Sequence, residues 1–563
     1  MSDGYTRGKP DVSWWMQQIY AGIKYRKKYA YEEKWDMWRN FYRGLWKPGV
    51  LPKNIYFKTL RTLVPRVYYR NPSVSIIPAM PGYDNMLLAK ILQRADNKLM
   101  VRMGVKEQMK RIVQNGIMFG TGVGKLGFGA EFTPTPDMLG TESPQGGSSK
   151  NPKHLEYNDL ISANNPWFLS VHTGKFIVPV GAQDIHSARW VAHWERRPLY
   201  DVQEDSRLKN TGALKSGTTS FTEKLQGEDP GDLVDIVEVR DKKTQRVMLL
   251  APHGEPDKRV LYDEDDDLQV DGGVPYYPLI FNQDDKVFWG VPDSQIIEPM
   301  QLEANEIRTL IMRHRRVTIA KILAKKGAIT PDEEDKLVSA EVKAVVEVDG
   351  ELADVREMPP QPIPAGLIQS EQMTDQEVQE ILGLGVNQFG EYAKGSADRS
   401  ATEANIVNQA TQIRVDERRD AAADMLVNMT SDMHHVMFER WSGEQVIDIV
   451  GPAGLQIWVK FKPEMLKSGR YEVKVDPDSS LPETKQLREQ KAVQTYGLLK
   501  QNPLINPVAL TQFLLNSLYG VQFDSLMIKQ ISETSPQNPM DFGQLQQVMQ
   551  QMQAQMPNAN LIE

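Results

Sequence analysis

The sequence predicts an α+β fold, a strand-rich body joined to long helices, on three observations. Strand-like pieces dominate residues 166–282 (PWFLSV, RWVAHWE, LVDIVEVRD, RVMLLAP, YYPLIFN), with polar, loop-like stretches between them. From Ser400 to Trp441 about forty residues pass without Pro or Gly, a helix unusually long for a globular domain. Strand signals then return in QIWVKF and RYEVKV before the chain turns helical again.

Taken in order, residues 14–46 carry apolar and aromatic positions at helical spacing and read as a core-packing helical segment. NIYFKTLRTLVPRVYYRNPSVSIIP reads as a helix running into a strand, and VKEQMKRIVQNGIMFG as a helix leading to a glycine-rich strand, TGVGKLGFGAEF. Residues 133–152 form a Pro/Gly/Ser loop, and residues 1–292 together read as one α+β domain. From Ser294 to Arg316, the positions Ile296, Met300, Ala304, Ile307 and Ile311 make one apolar stripe on a helix, which Pro299 should kink near its start. KAVVEVDGELADVREMP reads as a hairpin with Asp349 and Gly350 at its turn. A Pro-rich hinge, PPQPIPAG, leads to the helix LIQSEQMTDQEVQEIL and then to the loop GLGVNQFGEYAKGSADR. Ser400 and Glu403 form a capping box for the long helix. The chain closes on a Gln/Met-rich tail, and no internal repeat is visible.

The length, 563 residues, exceeds what one hydrophobic core of about 250–300 residues accommodates. With no cysteine, the chain has no disulfide, thiolate metal site or Cys nucleophile. No apolar run approaches the roughly 20 residues that span a bilayer, so no membrane partner is expected. A soluble intracellular product or a particle component is the expectation.

Candidate chemistry fails on spacing. Gly122, Gly124 and Gly127 spell G-x-G-x-x-G, but a dinucleotide site needs strand, glycines, then helix, and here a helix comes first. The same segment misses the P-loop, with Phe119 in place of the first Gly and Leu126 after Lys125 where Mg²⁺ binding wants Ser or Thr. Asp263, Asp265 and Asp267 have calcium-loop spacing, yet Leu268 takes the Gly position and the twelfth place lacks Glu, so a solvated turn is expected. His434 and His435 are adjacent and point about 100° apart on a helix. No catalytic residue, metal site or cofactor is therefore assigned. The formal charge of −8 contrasts with residues 308–326, which hold seven Lys or Arg and no acid.

The order of these parts resembles the portal (head–tail connector) proteins of tailed double-stranded DNA bacteriophages, over most of residues 50–525. FKTLRTLVPRVYYRNPSVSIIP is similar to the segment near the start of the portal wing, and NGIMFGTGVGKLGF to the helix-to-strand glycine turn after it. VPDSQIIEPMQLEANEIRTLIMRHR resembles the first stem helix, KILAKKGAIT with AVVEVDGE the clip, and GSADRSATEA the start of the long wing helix. GRYEVKVDPDSSLPETKQLREQKAVQ with QNPLINPVAL resembles the passage into the crown.

The resemblance implies a wing over 1–292, a stem helix over 293–316, a clip over 317–358 and a second stem helix over 359–382. A channel loop over 383–399, a long wing helix with strands over 400–480, and a crown and tail over 481–563 would follow. It implies a ring, usually of twelve copies, at one capsid vertex, through which double-stranded DNA passes during packaging and ejection. Its partners would be the large terminase, the major capsid and scaffold proteins, and head-completion or tail adaptor proteins. The expected site is the virion vertex, with assembly in the host cytoplasm. On this reading Lys394 and Arg399 of the loop and Arg308, Arg313, Arg315 and Arg316 of the stem are DNA-channel candidates. A wheel at 100° per residue keeps the four stem arginines from all facing DNA. The stripe Ile296, Met300, Ala304, Ile307 and Ile311 is the subunit-interface candidate, and Asp332, Glu333 and Asp335 are the clip's partner-docking candidates. The alternatives are an enzyme of the packaging-ATPase or nuclease type, against which the failed P-loop argues, and a structural head or scaffold protein without DNA passage.

Overall fold

The computed structural model describes residues 4–6, 9–69, 71–80, 83–128, 166–205, 207–214, 233–266, 268, 270, 273–317, 321–324, 330–338, 355–358, 362–383, 401–440, 445–450, 456–461, 471–475, 485–500, 510, 514 and 540–541. They divide into two compact units, residues 1–35, 63–293 and 413–563 in one, and residues 36–62 and 294–412 in the other.

The first unit is built on an antiparallel five-stranded sheet. Its strands lie in the order Val260–Asp265, Arg246–Leu250, Leu233–Asp241, Trp190–Pro198, Phe176–Ile177. Both faces are covered, which is why LVDIVEV and RVMLL are near-continuous apolar runs. Val237, Val239, Met248 and Leu250 pack with Trp15, Ile19 and Ile23 of the helix Val12–Tyr29. Their neighbours in the chain, Ile236, Val247 and Leu249, point the other way and pack with Val202, Leu208 and Leu214. Strand alternation thus sorts one run into two cores. The helix itself is capped by Asp11, whose carboxylate accepts from the Trp14 N–H at 3.1 Å.

A three-stranded sheet, in the order Tyr276–Leu279, Gly122–Phe128, Pro166–Val171, places the glycine-rich segment at its centre, buried at every position. The glycines therefore lie within a strand, and packing explains them: a Cβ on Gly124 would stand 2.5 Å from the Phe168 ring and 2.7 Å from Met425 Cε. The preceding helix Val105–Phe119 ends at Gly120, whose φ of +83° is the left-handed turn glycine supplies without strain. Val74–Pro78 pairs antiparallel with Tyr471–Val475, joining segments about 400 residues apart. In the long helix Ala401–Arg440, Val415, Ala422, Leu426, Met429, Met433 and Met437 are buried at spacings of three, four and seven, a single helical face. That face is anchored where His434 Nε2 meets Asp96 Oδ2 at 2.8 Å and where Tyr277 donates to Asp432 at 2.7 Å.

The second unit contains most of the helix Asp293–Val317, the helices Pro331–Val338 and Ala365–Leu382, and the pair Lys321–Ala324 with Val355–Met358.

Three readings differ from the structure. The helical segment 14–46 is two helices, Val12–Tyr29 and Trp35–Arg43, separated where Tyr31 takes a positive φ of 56°. The sequence analysis assigns nothing between Pro78 and Val105, where the 20-residue helix Tyr83–Arg102 stands. The DEDDD segment is a strand edge rather than a solvated turn: Asp263 and Asp265 pair with Arg246 on the adjoining strand, and Asp266 is buried against Arg240. Arginines of the same sheet neutralise Asp263 and Asp266, while Asp265 stays exposed to solvent. Asp267 lies outside the described residues. The strand Val355–Met358 pairs with Lys321–Ala324, while the hairpin turn at Asp349 and Gly350 lies outside the described residues. The helix Asp293–Val317 continues through Pro299.

Candidate functional site

The helix Asp293–Val317 carries most of the site residues the sequence singles out. Met300, Ala304 and Ile307 are buried and Ile296 and Ile311 half-buried, all within one chain, and Ile297 is buried more fully than Ile296. Beside this stripe runs a polar one that the sequence analysis misses: Gln301, Asn305 and Thr309, four residues apart and all buried. Gln301 Oε1 accepts from the Ile55 and Tyr56 N–H groups at 2.9 and 3.2 Å, and its Nε2 donates to the Lys53 carbonyl at 2.6 Å. Asn305 Oδ1 accepts from Lys53 N–H at 2.9 Å, and Thr309 Oγ1 from Leu51 N–H at 3.0 Å. Gln301 thus takes the first two N–H groups of the helix Ile55–Val67, which have no partner in their own helix, while Asn305 and Thr309 hold the segment leading into it. Asn54 completes the cap by accepting from Phe57 N–H at 2.9 Å. The 4-4 spacing of three amides and hydroxyls beside an apolar stripe is the signal that could have found them.

The same segment reaches the helix Ala365–Leu382 through Lys53, whose Nζ lies 2.9 Å from Glu371 and 2.8 Å from Asp375. Trp38 Nε1 donates to Glu298 at 3.0 Å. Asp293, at the start of the stem-like helix, takes a two-pronged contact from Arg418, at 2.5 and 3.0 Å, and a third bond from Asn282 at 2.8 Å.

Of the basic candidates, Arg308 is half-buried, and Arg313, Arg315 and Arg316 are exposed in the last turns. Among the described residues none of the four makes an ion pair, and their spacing does not gather them on one face. Lys394 and Arg399 lie outside the described residues, as does residue 400 of the capping box. Asp332 and Asp335 are exposed and Glu333 half-buried on the helix Pro331–Val338.

Lys125, the residue tested above as a phosphate lysine, is spent elsewhere. Its Nζ lies 2.5 Å from Glu238 Oε2, and the other Glu238 oxygen takes Arg240 Nε at 2.7 Å and the Tyr276 hydroxyl at 3.2 Å. Arg240 continues to Asp266 at 2.5 Å. Burial alone would raise the Glu238 carboxyl, but Lys125 and Arg240 beside it hold it well below the usual carboxylate range. His193, across the strand pair from Glu238, is pushed down to about 4 by burial. This network joins the faces of two sheets and is enclosed, so it has the character of a structural clamp.

The family model described as phage P22-like portal protein matches residues 149–562. No curated protein matches the chain. The matched span takes in the stem-like helix, the paired strands after it, the long helix and the strands beyond, well over half of the chain, and on it the chain belongs to the phage P22-like portal protein family.

Proposed function

We propose that this portal protein assembles as a ring, of twelve copies, around a channel through which double-stranded DNA enters and leaves the capsid. The observation that carries the reading within the chain is the end of the helix Asp293–Val317. An acidic protein of charge −8 keeps Arg313, Arg315 and Arg316 exposed there, with no ion pair among the described residues. Sparse positive charge suits a conduit, since each neutralised phosphate adds affinity and many contacts would hold the DNA in place.

On this reading the segments divide as the resemblance implies, with wing over 1–292, stem over 293–316 and 359–382, and clip over 317–358. The loop 383–399 faces the channel with Lys394, and Arg399 beside the helix cap makes a structural pair. Asp332, Glu333 and Asp335 of the clip meet the large terminase and then the tail or head-completion proteins. Capsid and scaffold proteins surround the wing at the virion vertex, and assembly takes place in the host cytoplasm. Met300, Ala304 and Ile307, buried within the subunit, stabilise the stem, and Ile296 and Ile311 at its half-buried margins meet the neighbouring copy.

The competing reading is a structural head or scaffold protein without DNA passage. Negative-stain images of the purified chain separate the two: rings with an open centre support the channel, and filaments or closed shells contradict it.

A further inference from the structure

The helices Tyr83–Arg102 and Val105–Phe119 carry a pattern that the channel does not use. Lys90, Arg94, Lys98, Arg102, Lys106 and Lys110 stand at every fourth position across both helices. The first five are exposed and Lys110 half-buried. Tyr83–Phe119 holds seven bases, with Arg111 the seventh, against the three acids Asp84, Asp96 and Glu107. One of these acids, Asp96, is buried against His434 and adds nothing to the surface. The opposite face of the first helix, with Leu88, Leu92, Ala95 and Leu99, is core.

A merely solvated helix face intersperses acids with bases, because opposite charges three or four residues apart stabilise it and like charges destabilise it. Here no acid stands three or four residues from Lys90, Arg94, Lys98 or Arg102, and apart from the buried Asp96 the intervening polar residues are the neutral Gln93 and Asn97. Asn97 is turned to the backbone of Val74, accepting at 3.3 Å and donating at 3.2 Å. Lys106 and Lys110 are held over the Tyr69 ring at 5.9 and 5.5 Å.

We propose that this face binds the phosphate backbone of duplex DNA, outside the channel. Four residues of helix rise about 6 Å, close to two phosphate repeats of one strand at about 3.4 Å each. A regular polyanion matches a regular row of cations, whereas an acidic protein patch has no such period. The charged side chains of the first helix's face, Lys90, Arg94, Lys98 and Arg102, are all donors without a base-reading arrangement, so the contact is independent of DNA sequence.

Closed-circular duplex cannot thread a preassembled ring, so its binding reads this surface and leaves the channel aside, and a failure of the channel reading would not affect the result. The full-length protein is titrated with closed-circular plasmid between about 50 and 200 mM salt. Arg94, Arg102 and Lys110 also engage groups in their own chain, so the variant is Lys90→Gln/Lys98→Gln. It is expected to bind several-fold more weakly, with the log–log salt slope reduced by up to about 1.8, at about 0.9 per lost phosphate contact. Its thermal midpoint and assembly state should match those of the wild type. Unchanged affinity and slope would overturn the proposal. So would polyglutamate displacing the plasmid at equal charge concentration, which would make the face a surface for acidic proteins.

Discussion

Gln301, on the helix Asp293–Val317, shows how much of one helix contact rests on a single amide. It takes two backbone N–H groups and gives to one carbonyl, all within the segment 53–56, from a position buried to 0% exposure. Gln301→Ala would leave the Tyr56 N–H without its acceptor and reduce Ile55 N–H and the Lys53 carbonyl to the bond they make with each other, at about 1–3 kcal/mol for a buried group left unmade. The expected outcome is a lower thermal midpoint, with faster hydrogen exchange at Ile55 and Tyr56. Gln301→Glu keeps the acceptor and loses the donor to Lys53, and should fall between. His193 makes a different prediction. Burial holds its folded-state pKa at about 4, below the ordinary 6.5, so the unfolded chain takes up the proton first as pH falls. Its contribution is full above pH 6.5 and declines between 6.5 and about 4, by roughly 3 kcal/mol over that window at about 1.4 kcal/mol per pH unit. His193→Gln should flatten the acid side of the stability–pH profile there, and a profile unchanged by the substitution would contradict this account of the clamp.

At the scale of elements, the stem-like helix separates what its residues do for folding from what they offer to others. Arg313, Arg315 and Arg316 are exposed and form no ion pair among the described residues, so replacing all three with Gln should shift stability by no more than about 0.5 kcal/mol per site. Packaging assays with the same variant should show reduced DNA uptake or retention at low salt, and the difference from wild type should shrink as salt rises and screens the contacts the arginines make. Normal packaging would remove these arginines from the channel.

Much of this architecture was legible beforehand. Three strands of the five-stranded sheet, Trp190–Pro198, Leu233–Asp241 and Arg246–Leu250, and the helix Ala401–Arg440 announce themselves through apolar runs and the absence of Pro and Gly. The helix Tyr83–Arg102 is equally periodic, with Leu88, Leu92, Ala95 and Leu99 on its core face, yet in the sequence Pro81 and Gly82 stand just before it with no Ser or Thr to mark its start. What single-residue patterns could not show were contacts between distant segments. Gln301 with Ile55, Lys125 with Glu238 and His434 with Asp96 are pairs set by tertiary packing, and nothing local marks either partner. The same holds for Asp263, which reads as solvated in the sequence because Arg246, its partner, lies on the neighbouring strand.

For the whole molecule, membership of the phage P22-like portal family and an acidic chain with a few exposed arginines lead to one claim: duplex DNA passes through a hole in the assembly. Topology tests this more directly than affinity, because threading survives salt while phosphate contacts do not. The purified assembly is incubated with linear duplex DNA, the DNA ends are then blocked with bulky protein caps, and the complex is washed in about 1 M salt, where the screening length falls to about 3 Å. Protein should remain on DNA capped after incubation and wash off DNA capped beforehand. Equal loss from both would contradict a channel for DNA.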